Sequence, residues 1–399
     1  MNIAVLVGCL PPVIDGVGEY TFHLTRSLRK LGVDAHIFTS KNQTPPLEFR
    51  NWIHPVISQW TGAGVAQAVA SLSAFKPDWC CFQYVPQMYS RNGICWQASG
   101  IPLALKQRFK WNIAVTFHEF ISEKRLNPKD WTLATVIRSQ AKRLLAGCDL
   151  AITTCDRYAR SLQSLTPKKL PIRVIPVGAN IRPIPMTSSE ILSLRKHYSL
   201  NESRVFGLFG RLSSFRNYPT ALYVLKQAKQ RGLNAHLMVI GCAESSHPSL
   251  FAELMQLAQK LDVERRLIVT GELSTEAVSQ HLQLVDLFLF PQTGGISTRN
   301  TTVMTALSHG LPVIAYQPPA GNFEGHQIPY GALVPLQDEA CFIQIAVEFM
   351  KTIHDRPSRK DANVKYFENH FSWPGIGRRY LEAFRTGKGV SCSGETFSL

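Results

Sequence analysis

The sequence predicts an α/β protein with two doubly wound domains, each a parallel sheet covered by helices on both faces. Short apolar runs typical of buried parallel strands alternate with amphipathic stretches of helical period along nearly the whole chain. At 399 residues the chain exceeds what one core usually supports, since single cores rarely grow beyond about 250–300 residues. A composition of 45% hydrophobic and 18% charged residues is that of a globular protein with material for two cores.

The first domain begins with an apolar strand at residues 2–7, which leads through a loop into a helix. Apolar residues recur every three or four positions in that helix, and Gly32 ends it. Further strands are predicted near residues 34–39, 79–83, 112–117, 149–153 and 172–176, and helices near 65–75, 130–146 and 155–165. Residues 178–189 contain two prolines and helix-capping residues. We therefore expect an inter-domain linker there and a first domain of residues 1–183.

The second domain, expected over residues 184–370, repeats the alternation. Its strands are predicted near residues 204–209, 235–240, 266–270, 286–290, 312–315 and 331–335, and its helices near 218–230, 248–261, 274–284, 300–309 and 339–354. Two doubly wound domains of similar size predict a cleft between the carboxyl edges of their sheets. Ligands of such folds bind at that edge.

Composition excludes several classes of protein. No apolar run approaches the roughly 20 residues needed to span a bilayer, and the apolar start lacks the basic residues of a signal peptide. Nine cysteines occur without a CxxC pair, which indicates reduced thiols in a cytoplasmic protein. No aromatic-basic module or recognition helix is visible, so we expect no nucleic-acid partner.

The net charge of +15 is concentrated in the first 185 residues. Much of the excess lies between Lys106 and Arg143, where Arg138, Lys142 and Arg143 occupy a predicted helix whose other face is apolar. Two interpretations stay open. The helix either presents a solvated basic face or docks on anionic lipid headgroups, which would place the protein peripherally on the inner face of a membrane.

The stretch from Asp286 to Tyr316 is the first candidate for a binding site. A strand near residues 286–290 is followed by a loop that contains Gly294 and Gly295, and then by a helix near 300–309. Residues suited to cap that helix are Ser297, Thr298, Asn300 and Thr301. A helix N-terminus at the carboxyl end of a parallel strand binds anions, because its free N–H groups and its dipole point at the ligand.

Two arginines form a second candidate. The strand near residues 204–209 ends at Gly210, which places Arg211 and Arg216 at the carboxyl edge of the sheet. Two guanidinium groups there suit a diphosphate, since each can bind phosphate oxygens in a fork. The alternative is a surface ion-pair role.

Two further candidates lie in the first domain. Gly16-Val17-Gly18 stands between the first strand and its helix, where the glycines could serve a ligand or only a tight turn. His118 ends a predicted central strand. It could hold a sugar hydroxyl or a phosphate, or it could be a core histidine with its hydrogen bonds satisfied.

In their order and spacing, these motifs resemble those of family 4, the retaining nucleotide-sugar glycosyltransferases with the two-domain GT-B fold. The resemblance spans roughly residues 1–385. Its motifs are Pro11-Pro12 through Gly18, Leu28-Arg29-Lys30-Leu31-Gly32, His118-Glu119, Ile175-Pro176-Val177-Gly178-Ala179-Asn180, Gly210-Arg211-Leu212 with Arg216 in the family's lysine place, Ala306 through Ala315, and Phe371-Ser372-Trp373. The last motif usually starts a helix that returns to the first domain, so we expect residues 371–385 to pack there and 386–399 to form a flexible tail.

The resemblance implies transfer of a sugar from a nucleoside-diphosphate donor, with retention of configuration and without a metal or other cofactor. The acceptor would be a glycan, as in polysaccharide biosynthesis, a lipid-linked molecule or a small molecule. Catalysis would involve His118, Arg211 and Arg216, with the leaving phosphate taking the acceptor's proton. The donor-binding residues would be Gly16, Val17, Gly18, Gly210, Gly295, Ser297, Thr298, Arg299, Asn300, Thr301 and Thr305.

One departure from the family pattern concerns two glutamates that usually stand eight positions apart. Counted back from Gly310, their places hold Ser297 and Thr305. In the family the first glutamate orients the donor sugar and the second holds the ribose, so those two contacts do not carry over. Two alternative functions therefore stay open: a non-catalytic nucleotide-sugar-binding or partner subunit, and a nucleotide-sugar epimerase.

Overall fold

Two parallel β-sheets organise the protein, one in each half of the chain. The computed structural model describes residues 1–13, 15–109, 111–119, 128–166, 169–353 and 357–387. The chain folds into two compact units, Met1–Pro176 with Trp373–Leu399, and Val177–Ser372. The tail predicted over residues 386–399 lies almost entirely outside the described residues.

The first unit contains a seven-stranded parallel sheet. Its strands are β1 (Asn2–Leu6), β2 (Asp34–Ser40), β3 (Ile53–Ile57), β4 (Trp79–Tyr84), β5 (Asn112–Phe117), β6 (Leu150–Thr153) and β7 (Ile172–Val174). Its helices are α1 (Gly16–Lys30), α2 (Gly62–Phe75), α3 (Pro86–Tyr89), α4 (Trp96–Ser99), α5 (Ile101–Phe109), α6 (Pro128–Gly147) and α7 (Asp156–Leu165). The strands pair in the order β3-β2-β1-β4-β5-β6-β7, and each neighbouring pair is parallel.

The second unit contains a six-stranded parallel sheet. Its strands are β8 (Arg204–Phe209), β9 (Ala235–Ile240), β10 (Leu267–Val269), β11 (Leu287–Phe290), β12 (Val313–Tyr316) and β13 (Gly331–Val334). Its helices are α8 (Ser188–His197), α9 (Tyr218–Gln230), α10 (Pro248–Lys260), α11 (Thr275–Leu282), α12 (Thr301–Ser308), α13 (Glu339–Lys351) and α14 (Pro357–His370). The strand order is β10-β9-β8-β11-β12-β13.

Both sheets reverse their strand order at one point, between β1 and β4 in the first and between β8 and β11 in the second. The chain leaves these neighbouring strands in opposite directions, so a crevice opens at their carboxyl ends. Doubly wound proteins bind ligands in that crevice. All six residues of β4 are buried, as is typical of a parallel strand covered by helices on both faces.

The last helix, α15 (Trp373–Thr386), packs on α1 within the first unit. The Tyr20 hydroxyl donates to the Tyr380 hydroxyl at 2.9 Å, and Ser27 Oγ donates to the carbonyl of Trp373 at 2.7 Å. Gly377 allows the close approach, because a Cβ there would lie 2.5 Å from Ser27 Oγ. The C-terminal helix is therefore an integral part of the first unit.

The predicted doubly wound α/β class is confirmed, and every predicted strand and helix occurs. The prediction omitted β3, α5, α8 and α14, among other short elements. Pro55 argued against a strand at β3, because proline has no N–H to donate within a sheet. An edge strand tolerates it, since the N–H groups on its outer side have no partner strand. Helix α8 begins with a capping box formed by Thr187 and Glu190, a signal that the proline-rich linker obscured.

We expect Asn363→Ala to lower the free energy of unfolding by about 3 kcal/mol, because it leaves buried backbone groups unpaired. The fully buried Asn363 side chain accepts from the Tyr330 amide at 2.9 Å and donates to the carbonyls of Leu311 and Tyr330 at 2.8 and 2.9 Å. Urea-induced unfolding measures the loss. The control is Gln256→Ala on the exposed face of α10, which should change stability by less than about 0.5 kcal/mol. Equal losses in the two variants would contradict the prediction.

Candidate functional site

The candidate site of the second unit lies where β8 and β11 end side by side. The two strands pair with Leu287 opposite Phe206 and Phe288 opposite Gly207. The loops that follow them are joined, since the Thr293 amide donates to the carbonyl of Phe215 at 3.1 Å. The predicted arginines are on the first loop and the predicted helix N-terminus is on the second, so one crevice receives both.

Arg216 is held against the end of β8. Its Nη1 donates to the carbonyl of Phe209 at 2.7 Å. Gly210, with φ +113°, provides the space: a Cβ there would lie 2.5 Å from Arg216 Nη2. The absence of a side chain at residue 210 therefore fixes where this guanidinium sits.

Arg211 lies close enough to Arg216 to affect its pKa. Burial lowers the pKa of Arg216; Tyr218 raises it, and the charge of Arg211 lowers it again. Arg211 is itself exposed, and its carbonyl accepts a hydrogen bond from the Tyr218 hydroxyl at 3.2 Å. Two like charges, one of them largely desolvated, favour an anion between or beside them.

The loop after β11 is held by backbone hydrogen bonds. Gly295 has φ +69°, and a Cβ there would lie 2.2 Å from the carbonyl oxygen of Gln317. The Ile296 amide donates to the carbonyl of Tyr316 at 3.0 Å. Gly295 thus serves a close backbone approach, which gives it a structural reason beside the predicted donor contact.

Most of the predicted polar side chains at the start of α12 are engaged within the loop. Asn300 Oδ1 accepts from the Ser297 amide at 2.6 Å, and Ser297 Oγ accepts from the Arg299 amide at 3.3 Å. The amide and hydroxyl of Thr298 donate to the carbonyl of Asn322 at 2.9 and 3.3 Å. These side chains shape the loop, and Thr301 is the first residue of the helix that it leads into.

Thr305 differs from its neighbours. Its side chain is 1% exposed, and its Oγ1 has no hydrogen-bond partner among the described residues. Its carbonyl, in contrast, accepts from Ser308 Oγ at 2.8 Å. A buried hydroxyl without a partner costs free energy, and this one occupies the position where the resemblance places the ribose-binding glutamate.

A carboxylate of the protein itself, that of Asp15, already occupies the N-terminus of α1. Asp15 Oδ1 accepts hydrogen bonds from the amides of Val17 and Gly18 at 2.9 and 2.8 Å. A Cβ at Gly18 would lie 2.7 Å from the carbonyl oxygen of Cys9, whereas a Cβ at Gly16 would meet nothing within 4 Å. A phosphate could therefore reach Gly16, but it would compete with Asp15 for the amides of Val17 and Gly18.

His118 follows β5 and is 8% exposed. Its Nε2 lies 2.8 Å from Oε1 of Gln83. Its ring forms a T-shaped pair with that of Tyr20, with ring centroids 4.7 Å apart and an interplanar angle of 78°. The histidine is thus fixed on two sides at the carboxyl edge of the first sheet.

Metal-binding clusters and membrane-spanning helices are both absent from the described residues. No group of three or more His, Cys, Asp or Glu side chains is arranged to hold a metal ion within the part of the chain that the structure describes. In that same part, no helix combines the length and the apolar character needed to cross a membrane.

Family models match both halves of the chain. The model for glycosyltransferase family 4 matches residues 14–182, and the model for group 1 glycosyl transferases matches residues 203–352. The two matches together cover more than half of the sequence. The chain belongs to the group 1 and family 4 glycosyltransferases. The family predicted from the motifs, a family of retaining enzymes with the GT-B fold, is confirmed.

Among curated proteins, this glycosyltransferase is similar to the GDP-mannose-dependent alpha-(1-6)-phosphatidylinositol monomannoside mannosyltransferase of Mycobacterium tuberculosis. The two are 28% identical over 194 residues, which cover 46% of this chain and 48% of the relative. The chain thus spans about half the length of the curated relatives it matches.

Solved structures share the fold. Sucrose-phosphate synthase from Thermosynechococcus elongatus is 16% identical, with a TM-score of 0.73 over 97% of this chain and 98% of its own. Anabaena HepE in complex with UDP and glucose is 15% identical, with a TM-score of 0.70 over 97% of this chain and all of its own. At these identities the likeness concerns the fold alone.

Sequence reasoning missed three residues that shape the candidate sites of the glycosyltransferase. Asp15 stands immediately before the predicted glycine loop, where an aspartate is a readable helix cap. Gln83 sits in an otherwise apolar strand, a position that signals a buried polar partner. Asn322 holds Thr298 through its backbone carbonyl, which leaves no trace in the sequence.

Gly210→Ala should weaken binding of nucleoside diphosphates at least about tenfold, because the new Cβ displaces the Arg216 guanidinium and removes a charge-assisted contact. Calorimetric titration with UDP and GDP measures the change. Gly232→Ala is the matched control: Gly232 also has a positive φ, +73°, but a Cβ there would meet nothing within 4 Å. Equal affinities in the two variants would show that Arg216 does not depend on Gly210.

Proposed function

We propose that this chain is a retaining glycosyltransferase that moves a sugar from a nucleoside-diphosphate donor to a glycan, lipid-linked or small-molecule acceptor. The observation that carries the proposal is the pair Arg211 and Arg216 at the strand reversal of the second sheet, with Arg216 hydrogen-bonded to the end of β8. Two cations at that crevice, one of them held in place by the strand end, suit a diphosphate.

In this proposal the arginines act on the leaving group. Departure of the nucleoside diphosphate leaves negative charge on its terminal phosphate, and catalysis requires that this charge be bound more tightly in the transition state than in the ground state. Arg216 is held in place before the reaction, so little reorganisation is needed when the charge develops. The leaving phosphate, now more basic, would take the proton of the acceptor hydroxyl.

The mycobacterial relative and the HepE structure support the donor class, since the first is named for GDP-mannose and the second contains UDP with glucose. The two nucleotides have different bases, so we propose a nucleoside-diphosphate sugar without specifying the base. GDP-mannose and UDP-glucose are the first donors to test.

The residues that replace the paired glutamates favour one alternative, a non-catalytic nucleotide-sugar-binding subunit. Ser297 and Thr305 provide no carboxylate, and the hydroxyl of Ser297 is engaged with the Arg299 amide. We propose that backbone amides at the start of α12 and the Thr305 hydroxyl take over contacts to the donor. Binding of nucleotides without turnover across a broad panel of donors and acceptors would favour the alternative.

A membrane surface is a proposed partner of helix α6. Trp131 is 54% exposed, and Arg138 and Lys142 are exposed on the same stripe of the helix. The opposite stripe, which includes Ile137 and Leu144, is buried. An exposed tryptophan next to basic residues suits the headgroup region of an anionic membrane. The lipid acceptor for which the mycobacterial relative is named fits this surface.

Arg216→Ala and Arg211→Ala should each lower turnover on the order of 100-fold, because each removes a donor to the developing phosphate charge. Sugar transfer or donor hydrolysis, assayed with GDP-mannose and UDP-glucose, measures the effect. Arg265→Ala, at an exposed arginine of the same unit, controls for loss of positive charge alone. Turnover near the wild-type value in Arg216→Ala would refute the assigned site.

Arg138→Glu combined with Lys142→Glu should weaken binding to anionic vesicles by roughly 30-fold or more, since each basic residue near the surface contributes about 1 kcal/mol. Sedimentation with phosphatidylglycerol vesicles measures it. The control combines Arg26→Glu with Lys30→Glu, which changes the charge equally at two exposed residues one turn apart on α1. If both double variants sediment alike, α6 is not the docking surface.

A further inference from the structure

A chain of buried polar side chains runs from His118 to the C-terminal helix of the first unit. Gln83, in β4, is fully buried, and its side chain lies between His118 and Thr116. Thr116 Oγ1 lies 3.0 Å from the hydroxyl of Tyr380, and Tyr380 accepts from Tyr20 at 2.9 Å. Buried polar groups in such a chain must all be paired, so each bond constrains the direction of the next.

The two tyrosines set the direction of these hydrogen bonds. Since Tyr20 donates to Tyr380, the proton of Tyr380 itself is directed at Thr116 Oγ1. Burial raises the pKa of both tyrosines, so both hydroxyls keep their protons at neutral pH. Thr116 therefore acts as an acceptor towards α15.

Thr116 keeps a proton of its own, which Cys81 Sγ, 3.6 Å from Thr116 Oγ1, can accept. The second lone pair of Thr116 Oγ1 is then left for the glutamine amide. Its Nε2 lies 3.2 Å from Cys81 Sγ and 3.4 Å from Thr116 Oγ1. Burial raises the pKa of Cys81 to about 12, so this group stays a neutral thiol whose sulfur is a weak acceptor. The donating end of the amide faces these two acceptors, and its carbonyl Oε1 consequently faces His118.

We propose that Gln83, oriented by Tyr380 through Thr116, is a positioning residue that keeps the proton of neutral His118 on Nε2 and the lone pair on Nδ1. The Gln83 carbonyl oxygen can only accept, so the ring nitrogen 2.8 Å away must carry the hydrogen. Tyr20, in a T-shaped arrangement with the imidazole, restrains the ring plane.

The consequence for chemistry rests on the proposed function. In the Nε2–H tautomer, Nδ1 can only accept a hydrogen bond, so a sugar hydroxyl at that nitrogen would have to donate. The other tautomer would present an N–H there and select a different orientation of the substrate. Through Tyr380, Thr116 and Gln83, the C-terminal helix α15 thereby acts on the histidine at the carboxyl edge of the sheet.

The direct test is the tautomer of His118 in protein labelled with ¹⁵N-histidine, read from long-range ¹H–¹⁵N correlations and assigned with His118→Gln. We expect protonation at Nε2 in the wild type. Gln83→Met removes the carbonyl and should give a mixture of tautomers, and Tyr380→Phe should shift the mixture in the same direction. Gln140→Met, at another fully buried glutamine of the same unit, should leave the tautomer unchanged.

Turnover gives a second readout. Gln83→Met should lower kcat by about tenfold, the lower end of the loss seen when the partner that orients a metal-binding histidine is removed. Gln83→Glu should restore much of the loss, because a carboxylate also accepts from Nε2. The negative charge would raise the pKa of His118, so protonation would remove the Nδ1 lone pair at a higher pH. The acid limb of the pH profile should therefore move to higher pH than in the wild type.

The outcomes separate this inference from the proposed function. Protonation of wild-type His118 at Nδ1, or an Nε2–H tautomer that persists in both Gln83→Met and Tyr380→Phe, would overturn the role of Gln83 whatever the activity. Nε2 protonation that is lost in Gln83→Met would support the role of Gln83 even if the wild type transferred no sugar. Absence of transfer would in that case refute the proposed function alone.

Discussion

The position of one guanidinium governs the candidate site of the second unit. Arg216 binds the carbonyl at the end of β8 and occupies space that any side chain at residue 210 would fill. The resemblance places a lysine at this position, and a lysine has a single ammonium. A planar guanidinium can donate to the strand and to a phosphate at the same time. The strand end thus orients the cation, and burial beside Arg211 makes an anionic ligand favourable.

The two units share a reversal of strand order, but the helices that follow their first strands, α1 and α9, differ at the N-terminus. In the first unit, Asp15 caps α1 and places a carboxylate on the amides that a phosphate would need. In the second unit, Asn217 precedes α9 and makes no side-chain hydrogen bond to it. The positive end of that helix and the two arginines lie on one loop, so their fields add. The second sheet is therefore the better anion site, although both sheets have the topology of one.

The sequence predicted those features that depend on neighbouring residues. The spacing of apolar residues predicts the strands and helices. Gly210 marks the end of a strand and so predicts that the two arginines lie at the carboxyl edge of the sheet. The boundary at residue 183 stays a prediction, since residues 178–187 contain no helix or strand to mark it. The partners of His118 were beyond reach, because Gln83 and Thr116 meet only through the pairing of β4 with β5. Tyr380 is 264 residues from Thr116 in the chain. Loop hydrogen bonds such as that of Thr298 to Asn322 depend on two distant loops at once.

The missing glutamates and the arginine pair both affect the net charge of the same site. A carboxylate on the loop after β11 would oppose part of the positive charge of Arg211 and Arg216, because the Thr293 amide joins that loop to theirs. With Ser297 on the loop and Thr305 on α12, both positions are neutral. In the proposed function, the full positive charge would then be available to the diphosphate, and neutral donors and acceptors would orient the sugar. We infer that this protein favours binding of the leaving group over charged contacts to the sugar and ribose.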